Sequence, residues 1–197
     1  LQDTAPERIA PAMKRAGAMF KKRLRDPRRI RDALDRLIPD TSGIGAAKAH
    51  VLIEAIFENV EANRALFATL EPLATPGALL ATTHASLQLS DTRANFKAPG
   101  RLVGIHFFNP VPRMMLVEVV SGAKTNPADA KKAAAFVRQI DKLPLPVKDS
   151  PGFLVNRVLG PYMQQAFRML DDGIKPETLD AAMEQFGMPM ESGRAPV

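Results

Sequence analysis

A histidine and a glutamate stand in two neighbouring apolar segments, where a buried polar side chain needs either a function or a partner. The stretch GIHFFNPVPRMMLVEVV, residues 104–120, contains His106 and, twelve residues later, Glu118. If the segments are adjacent strands whose faces agree, the carboxylate bonds one imidazole nitrogen, fixes the tautomer and leaves the other nitrogen free to move a proton. The pair is therefore a candidate general base with its orienting acid. A core histidine paired for structural reasons is the open alternative.

Strands and helices in alternation must position this pair. Apolar and β-branched runs predict strands in HVLIEAIFE, ALLATT, RLVGIHFF and MLVEVVS, whereas helical spacing covers residues 9–24, 30–37 and 61–70. Asn126 and Pro127 are a suitable N-cap and first turn for a helix that runs to about Leu143. The alternation up to about Val147 predicts an α/β fold with a mainly parallel sheet. After residue 150 only helical periodicity remains, so we expect an α/β domain at 1–149 and an all-helical domain from 150 to 197.

The composition removes several kinds of site. The chain has no cysteine, which excludes disulfides, thiolate metal ligands and a cysteine nucleophile, and we predict no metal site. No apolar run reaches the length of a membrane span, so none is predicted. The segment from Lys14 to Arg31 contains nine lysines and arginines and one aspartate. Such a basic run is typical first of a solvated helix face and secondly of a surface that attracts phosphate. With one tyrosine and no tryptophan to stack on bases, we expect no nucleic-acid partner.

One glycine pair imitates a phosphate-binding loop. Gly43-Ile44-Gly45 begins like G-x-G-x-x-G, but it continues Ala46-Ala47-Lys48 and follows a helix and a proline turn. The fingerprint needs a strand before it and a helix N-terminus after it, so that backbone N–H groups meet a pyrophosphate. The segment is therefore predicted to be an ordinary loop.

Three segments together carry a resemblance to a known family. They are GIHFFNPVPRMMLVEVV, KDSPGFLVNRVLGPY and VLIEAIFENVEANRALFATLEPL, and they resemble the L-3-hydroxyacyl-CoA dehydrogenases of fatty-acid β-oxidation, above all the dehydrogenase part of bacterial multifunctional subunits. The resemblance implies a Rossmann-type domain followed by a helical one, NAD as the cofactor, an acyl-CoA substrate and a cytoplasmic location. It implies that His106 is the base toward the substrate 3-hydroxyl, that Glu118 orients it, and that Asn156 lies by the substrate carbonyl.

The resemblance also assigns residues to the cofactor. Asp3 falls where an acidic residue holds the adenosine ribose, and Glu58 is retained as a cofactor contact. Thr83 falls on the family's cofactor-contacting asparagine and Asn63 on a cofactor-contacting lysine.

The stretch that follows the ALLAT segment departs from the family at the substrate. The substrate-contacting serine falls on Ala85, which has no hydroxyl, although Ser86 is a neighbouring substitute. Loss of one hydrogen bond to a reacting oxygen would raise the activation barrier of the reaction by about one to a few kcal/mol, which slows catalysis without abolishing it. His84 is new at this place, and we expect it to be a surface histidine in a loop.

Both ends of the sequence differ from the family. The first strand, glycine loop and first helix are missing before Leu1, and MPMESGRAPV departs where more helices would follow, so a fragment is expected. The alternative to an enzyme is a catalytically silent structural or interaction module, and a third possibility keeps the fold with a different hydroxy substrate. Expected partners are a second copy or other domains of a larger subunit. Such a contact, or an ordinary core, would use Phe153, Leu154, Val158, Leu159 and Phe167.

Overall fold

A five-stranded sheet with helices on both faces forms the centre of the computed structural model, which describes residues 1–84 and 87–188. The strands are β1 (Val51–Glu54), β2 (Leu79–Thr82), β3 (Leu102–Phe107), β4 (Leu116–Ser121) and β5 (Leu143–Lys148). The α-helices are α1 (Pro6–Leu24), α2 (Pro27–Asp35), α3 (Val60–Leu73), α4 (Leu89–Thr92), α5 (Pro127–Gln139), α6 (Val155–Asp171) and α7 (Pro176–Phe186). Short 3₁₀ helices span Ile44–Lys48, Arg93–Asn95 and Pro99–Arg101.

The strands follow one another across the sheet in chain order, β1 to β5. Neighbouring strands are parallel except β3 and β4, which are antiparallel because a short proline-containing loop joins them. After β5 the described residues of the chain form helices α6 and α7 only. The predicted mainly parallel α/β sheet followed by a helical part is therefore confirmed, whereas the boundary at residue 149 stays a prediction.

Alternate residues of the central strands pack into two separate cores. Leu79, Val103, Ile105 and Val117 lie on the face that α5 covers through Val137. Their neighbours along the strands turn to the other face, where Phe67 of α3 and Phe153 cover a second set: Leu80, Leu102 and Val120. Because Glu118 and His106 are an even number of residues from Val120 and Leu102, both lie on this second face.

The fifth strand was not predicted, and the helix before it was predicted too long. Helix α5 ends at Gln139 instead of about Leu143, and β5 has the sequence LPLPVK. Proline argues against a strand because it cannot donate a ladder hydrogen bond. Here Leu143 N–H donates to Met115 O (2.8 Å) and Asp149 N–H to Ser121 O (3.1 Å), so odd-numbered residues face β4. The backbone nitrogens of the two prolines, at 144 and 146, point to the outer side of β5, where no hydrogen-bond donor is needed.

The glycine pair in the N-terminal part was predicted to be an ordinary loop, but Gly43 caps and Gly45 belongs to the short 3₁₀ helix Ile44–Lys48. The Asp40 carboxylate accepts the N–H groups of Ser42 (3.0 Å), Gly43 (2.8 Å) and Gly45 (2.8 Å). The N–H of Gly45 is the main cause that holds the pKa of Asp40 below its ordinary value. The backbone donors of this segment are thus engaged with a carboxylate of the chain itself.

Among the described residues, no helix combines the length and the apolar character that a membrane crossing requires.

Gly104 is a position where the sheet cannot accept a larger side chain. A Cβ there would lie 2.7 Å from Cβ of Val120 on β4, closer than real Cβ contacts. We expect Gly104→Ala to lower the free energy of unfolding by about 1–3 kcal/mol, since overpacking forces the paired strands apart. Gly160→Ala is the matched control, because nothing lies within 4 Å of its Cβ position and alanine favours a helix. Urea midpoints that fall equally in both variants would contradict the steric explanation.

Candidate active site

His106 and Glu118 face each other directly across the antiparallel ladder of β3 and β4. His106 Nδ1 lies 2.8 Å from Glu118 Oε2, within hydrogen-bond range. The glutamate side chain is fully buried (0% exposed), and the histidine ring keeps 13% of its surface exposed. The structure therefore brings together the two residues that the sequence predicted as a pair, with the carboxylate inside and the imidazole at the rim.

The second oxygen of Glu118 is held by the beginning of helix α6. Oε1 accepts the N–H groups of Leu154 (3.0 Å) and Val155 (2.9 Å), where the positive end of the helix dipole favours an anion. Oε1 is thus engaged by two backbone donors, and Oε2 is the oxygen that faces His106. Because a carboxylate can only accept hydrogen bonds, Nδ1 of His106 is the donor of the shared hydrogen bond. Its Nε2 is consequently the basic nitrogen, free to accept a proton.

Two phenylalanines enclose the imidazole. Phe108 lies 4.7 Å from the His106 ring centre at 66°, and Phe153 lies 5.6 Å away at 62°, both in edge-to-face arrangements. Phe153 is buried and has φ of 47°, following Gly152 at φ 71°. A left-handed phenylalanine is uncommon and costs roughly 1–3 kcal/mol. This turn places the Phe153 ring beside His106 and turns the next two N–H groups onto Glu118.

A second histidine–carboxylate pair lies beside the first, and this corrects one expectation. His84, expected at the surface, is buried (5% exposed) because its ring bonds Glu54 at the end of β1. Nε2 of His84 lies 3.0 Å from Glu54 Oε1 and 3.2 Å from Asn63 Oδ1. Thr82 of β2 pairs with Gly104 of β3, and each histidine lies two residues after its member of this pair: His84 just beyond the end of β2 and His106 within β3. Across β1 to β4 the order is therefore glutamate, histidine, histidine, glutamate.

The predicted cofactor residues Glu58, Asn63 and Thr83 cluster around His84. Glu58 lies in the loop between β1 and α3, and its Oε1 is 3.6 Å from His84 Nδ1. Asn63 is fully buried in α3, and its Nδ2 donates to Asn59 O at 2.8 Å. Thr83 donates its backbone N–H to Glu54 O at 3.1 Å. Their contacts with a cofactor stay predictions, and in this structure the Asn63 amide is engaged inside the protein.

The other predicted contacts are spread over separate places. Asn156 is exposed in the first turn of α6, one residue after the N–H groups that hold Glu118. Asp3 lies at the far edge of the sheet, where its Oδ1 accepts Ala5 N–H at 3.1 Å. Ala85 and Ser86, the predicted substrate contacts, lie outside the described residues.

A cleft of about 1010 Å³ connects Asp3 with the carboxyl end of β1. Its lining includes Gln2, Asp3, Gly43, Glu54 and Phe57. Open α/β sheets bind ligands at the carboxyl ends of their strands. The assignment of Asp3 to the adenosine ribose stays a prediction. The pyrophosphate would need other donors than the Gly43–Gly45 segment, whose N–H groups bond Asp40.

Comparison with known proteins gives two family matches. Residues 1–150 match the model of the 3-hydroxyacyl-CoA dehydrogenase NAD binding domain, and residues 152–192 match that of the 3-hydroxyacyl-CoA dehydrogenase C-terminal domain. The first match confirms NAD as the predicted cofactor.

Individual relatives agree with these family models. A probable 3-hydroxyacyl-CoA dehydrogenase of Caenorhabditis elegans is 39% identical over 165 residues, which are 83% of this chain and 52% of that protein. The 3-hydroxyadipyl-CoA dehydrogenase of Escherichia coli is 41% identical over 159 residues, 80% of this chain and 34% of that protein. The chain thus spans about half and about a third of these relatives.

Solved structures share the fold. The crystal structure of 3-hydroxybutyryl-CoA dehydrogenase from Escherichia coli has a TM-score of 0.92 at 36% identity, covering 98% of this chain and 42% of that one. The structure of FadB2 from Mycobacterium tuberculosis has a TM-score of 0.91 at 30% identity, covering 97% and 70%.

Proposed function

The chain belongs to the 3-hydroxyacyl-CoA dehydrogenase family, and on that premise we propose that the protein oxidises a (3S)-3-hydroxyacyl-CoA to the 3-oxoacyl-CoA with NAD. The observation that carries the proposal is the His106 imidazole, whose Nδ1 is fixed on a buried carboxylate while its Nε2 has no hydrogen-bond partner among the residues that the structure describes. A base poised in this way suits removal of a hydroxyl proton.

Each residue of the pair has a distinct part in the proposed reaction. Nε2 of His106 accepts the proton of the substrate 3-hydroxyl, and the imidazolium that forms is stabilised by Glu118 at 2.8 Å. NAD, when bound, supplies the acceptor for the hydride that leaves C3. The N–H groups of Leu154 and Val155 hold Glu118 in place, so that it orients the imidazole and stabilises the imidazolium without itself taking up the proton.

The surroundings are assigned by resemblance and supported by position. Asn156, exposed beside the His106 site at the start of α6, is proposed to contact the thioester carbonyl. Asp3 is proposed to hold the ribose at the cleft, and Glu58 and Thr83 to face the cofactor at the ends of β1 and β2. Phe108 and Phe153 shield the imidazole from water.

The substrate is proposed to be a coenzyme A thioester with a short acyl chain, because relatives act on 3-hydroxybutyryl-CoA and 3-hydroxyadipyl-CoA by name. The basic residues between positions 14 and 31, on α1, α2 and the turn that joins them, support a phosphate-bearing ligand. They are exposed and make no ion pair among the described residues; they are Lys14, Arg15, Lys21, Lys22, Arg23, Arg25, Arg28, Arg29 and Arg31. Such a surface attracts the diphosphate and 3′-phosphate of coenzyme A.

The helical part is proposed to be covered by a second copy or by another domain. Phe153 belongs to the core, but Leu154 and Val158, four residues apart and so on one side of the helix, remain exposed at 46% and 65%. Phe167 is also exposed, on the opposite side of α6. Large apolar side chains grouped on one helix are typical of a contact surface.

The test is turnover by the protein expressed from its full reading frame. We expect NADH formation with (S)-3-hydroxybutyryl-CoA, none with the R enantiomer, and a higher KM for a pantetheine thioester that lacks the nucleotide phosphates. Absence of turnover by a folded protein would instead favour the silent module.

A further inference from the structure

Both ring nitrogens of His84 face acceptor oxygens, Nε2 within hydrogen-bond distance and Nδ1 within ion-pair distance. Nε2 faces Glu54 Oε1 at 3.0 Å and Asn63 Oδ1 at 3.2 Å, and Nδ1 faces Glu58 Oε1 at 3.6 Å. The orientation of the Asn63 amide is set by its Nδ2, which donates to Asn59 O at 2.8 Å. A neutral imidazole has a single N–H and would turn a lone pair toward one of these oxygens. The imidazolium alone satisfies both sides.

Glu54 is itself held as an acceptor. Its Oε1 also accepts Ile56 N–H (2.6 Å), and its Oε2 accepts the Thr82 hydroxyl (2.7 Å). A buried carboxylate with three donors is the pattern of the ionised form. The charged groups that face His84 are therefore Glu54 from β1 and Glu58 from the following loop, while α3 and β2 contribute the neutral Asn63 and Thr82.

Electrostatics agree with this geometry. Burial of the ring opposes its charge, but the hydrogen bond and charge of Glu54, with those of Glu58, outweigh it and raise the pKa of His84 above the ordinary value. Two ionised carboxylates beside one buried ring would repel each other without the cation between them.

We propose that His84 is a positioning residue whose imidazolium fastens the Glu58 loop to the end of β2 and so shapes the proposed NAD site. The proposal rests on the proposed function for its ligand, since Glu58 and Thr83 are the assigned cofactor contacts. The cation links two strand ends at the carboxyl edge of the sheet, where such ligands bind. When His84 loses its proton, the tie to Glu58 is lost.

The sign of the pH effect follows from linkage. A histidine whose pKa is raised by folding adds stability that is complete below its unfolded pKa and is lost as the pH rises through the folded value. The same deprotonation should weaken NADH binding. We therefore expect the Kd for NADH to rise with pH through the His84 transition in the wild-type protein, and to be flat through that range in His84→Gln.

The experiment has two independent readouts. Imidazole-nitrogen NMR spectra of the full protein follow each histidine with pH, because this chain has three, His50, His84 and His106, and single His→Gln variants assign them. Fluorescence titration gives the Kd for NADH in wild type, H84Q, E58Q and the double variant. We expect NADH binding to be roughly tenfold weaker in H84Q than in wild type. Adding H84Q to E58Q should cause no further loss of NADH affinity, because substitutions of two groups in contact are not additive. His50→Gln, a change at an exposed ring, should alter neither.

Each outcome decides a different statement. A neutral His84 at pH 7 overturns the imidazolium, and equal NADH affinity of wild type and H84Q overturns the positioning role. Additive losses in the cycle would mean that His84 acts on folding alone and not through Glu58, which also overturns it. If the wild type binds no NADH, the proposed function fails together with this role, while the NMR titration still reports the charge of His84.

Discussion

Replacing Glu118 by glutamine is expected to lower kcat by about 10³- to 10⁴-fold, as for a histidine whose carboxylate partner becomes an amide. The amide oxygen must accept the N–H groups of Leu154 and Val155, so the NH₂ group turns to Nδ1 of His106. That nitrogen then becomes the acceptor, and the ring proton moves to Nε2. The base is therefore blocked by the wrong tautomer, although the side chain has kept its shape.

Steady-state rates and thermal unfolding of the same samples check this prediction. Glu184→Gln is the matched control, because it makes the same chemical change at an exposed position of α7. The KM of the Glu118 variant should change little, since substrate does not touch the buried carboxylate. A kcat within tenfold of wild type in a folded variant would show that Glu118 does not set the tautomer.

Replacing His106 by glutamine is expected to lower kcat by about 10²- to 10⁴-fold, the contribution of a positioned general base. The rise of kcat/KM with pH that reports deprotonation of this base should disappear as well. His50→Gln, the exposed control, should keep both the rate and the pH profile. Stopped-flow measurement of hydride transfer separates this chemical step from product release.

The two substitutions should not add. If Glu118 acts only through His106, the double variant loses little more than His106→Gln alone. If the fold losses in kcat of the two single variants multiply in the double variant, His106 and Glu118 do not act as one unit. Glu118 would then have a separate part in the reaction.

The sequence predicted the His106–Glu118 pair because both residues lie in strand-like segments that a short loop joins. It did not predict what holds Glu118 from its other side. The two N–H groups that hold it belong to Leu154 and Val155, which lie 36 and 37 positions further along the chain. No local sequence pattern marks a backbone donor. Phe153 lies in KDSPGFLVNRVLGPY, one of the segments that carry the family resemblance, but the left-handed backbone that aims those N–H groups is visible only in the fold.

His84 and β5 were missed for opposite physical reasons. His84 looked like a loop residue because its partner Glu54 lies on another strand, 30 positions away. Burial of the ring depends on this tertiary contact and on Asn63 of α3. The segment LPLPVK looked unlike a strand because propensity counts each proline as a lost donor, irrespective of the side on which the donor would point.

The outward prolines of β5 also limit how copies of this chain can associate. An intruding strand needs N–H groups along the edge that it joins, and positions 144 and 146 offer none. The β5 side of the sheet is therefore closed at these two positions to pairing with a strand of another copy, and repeated addition of copies at this edge is not expected.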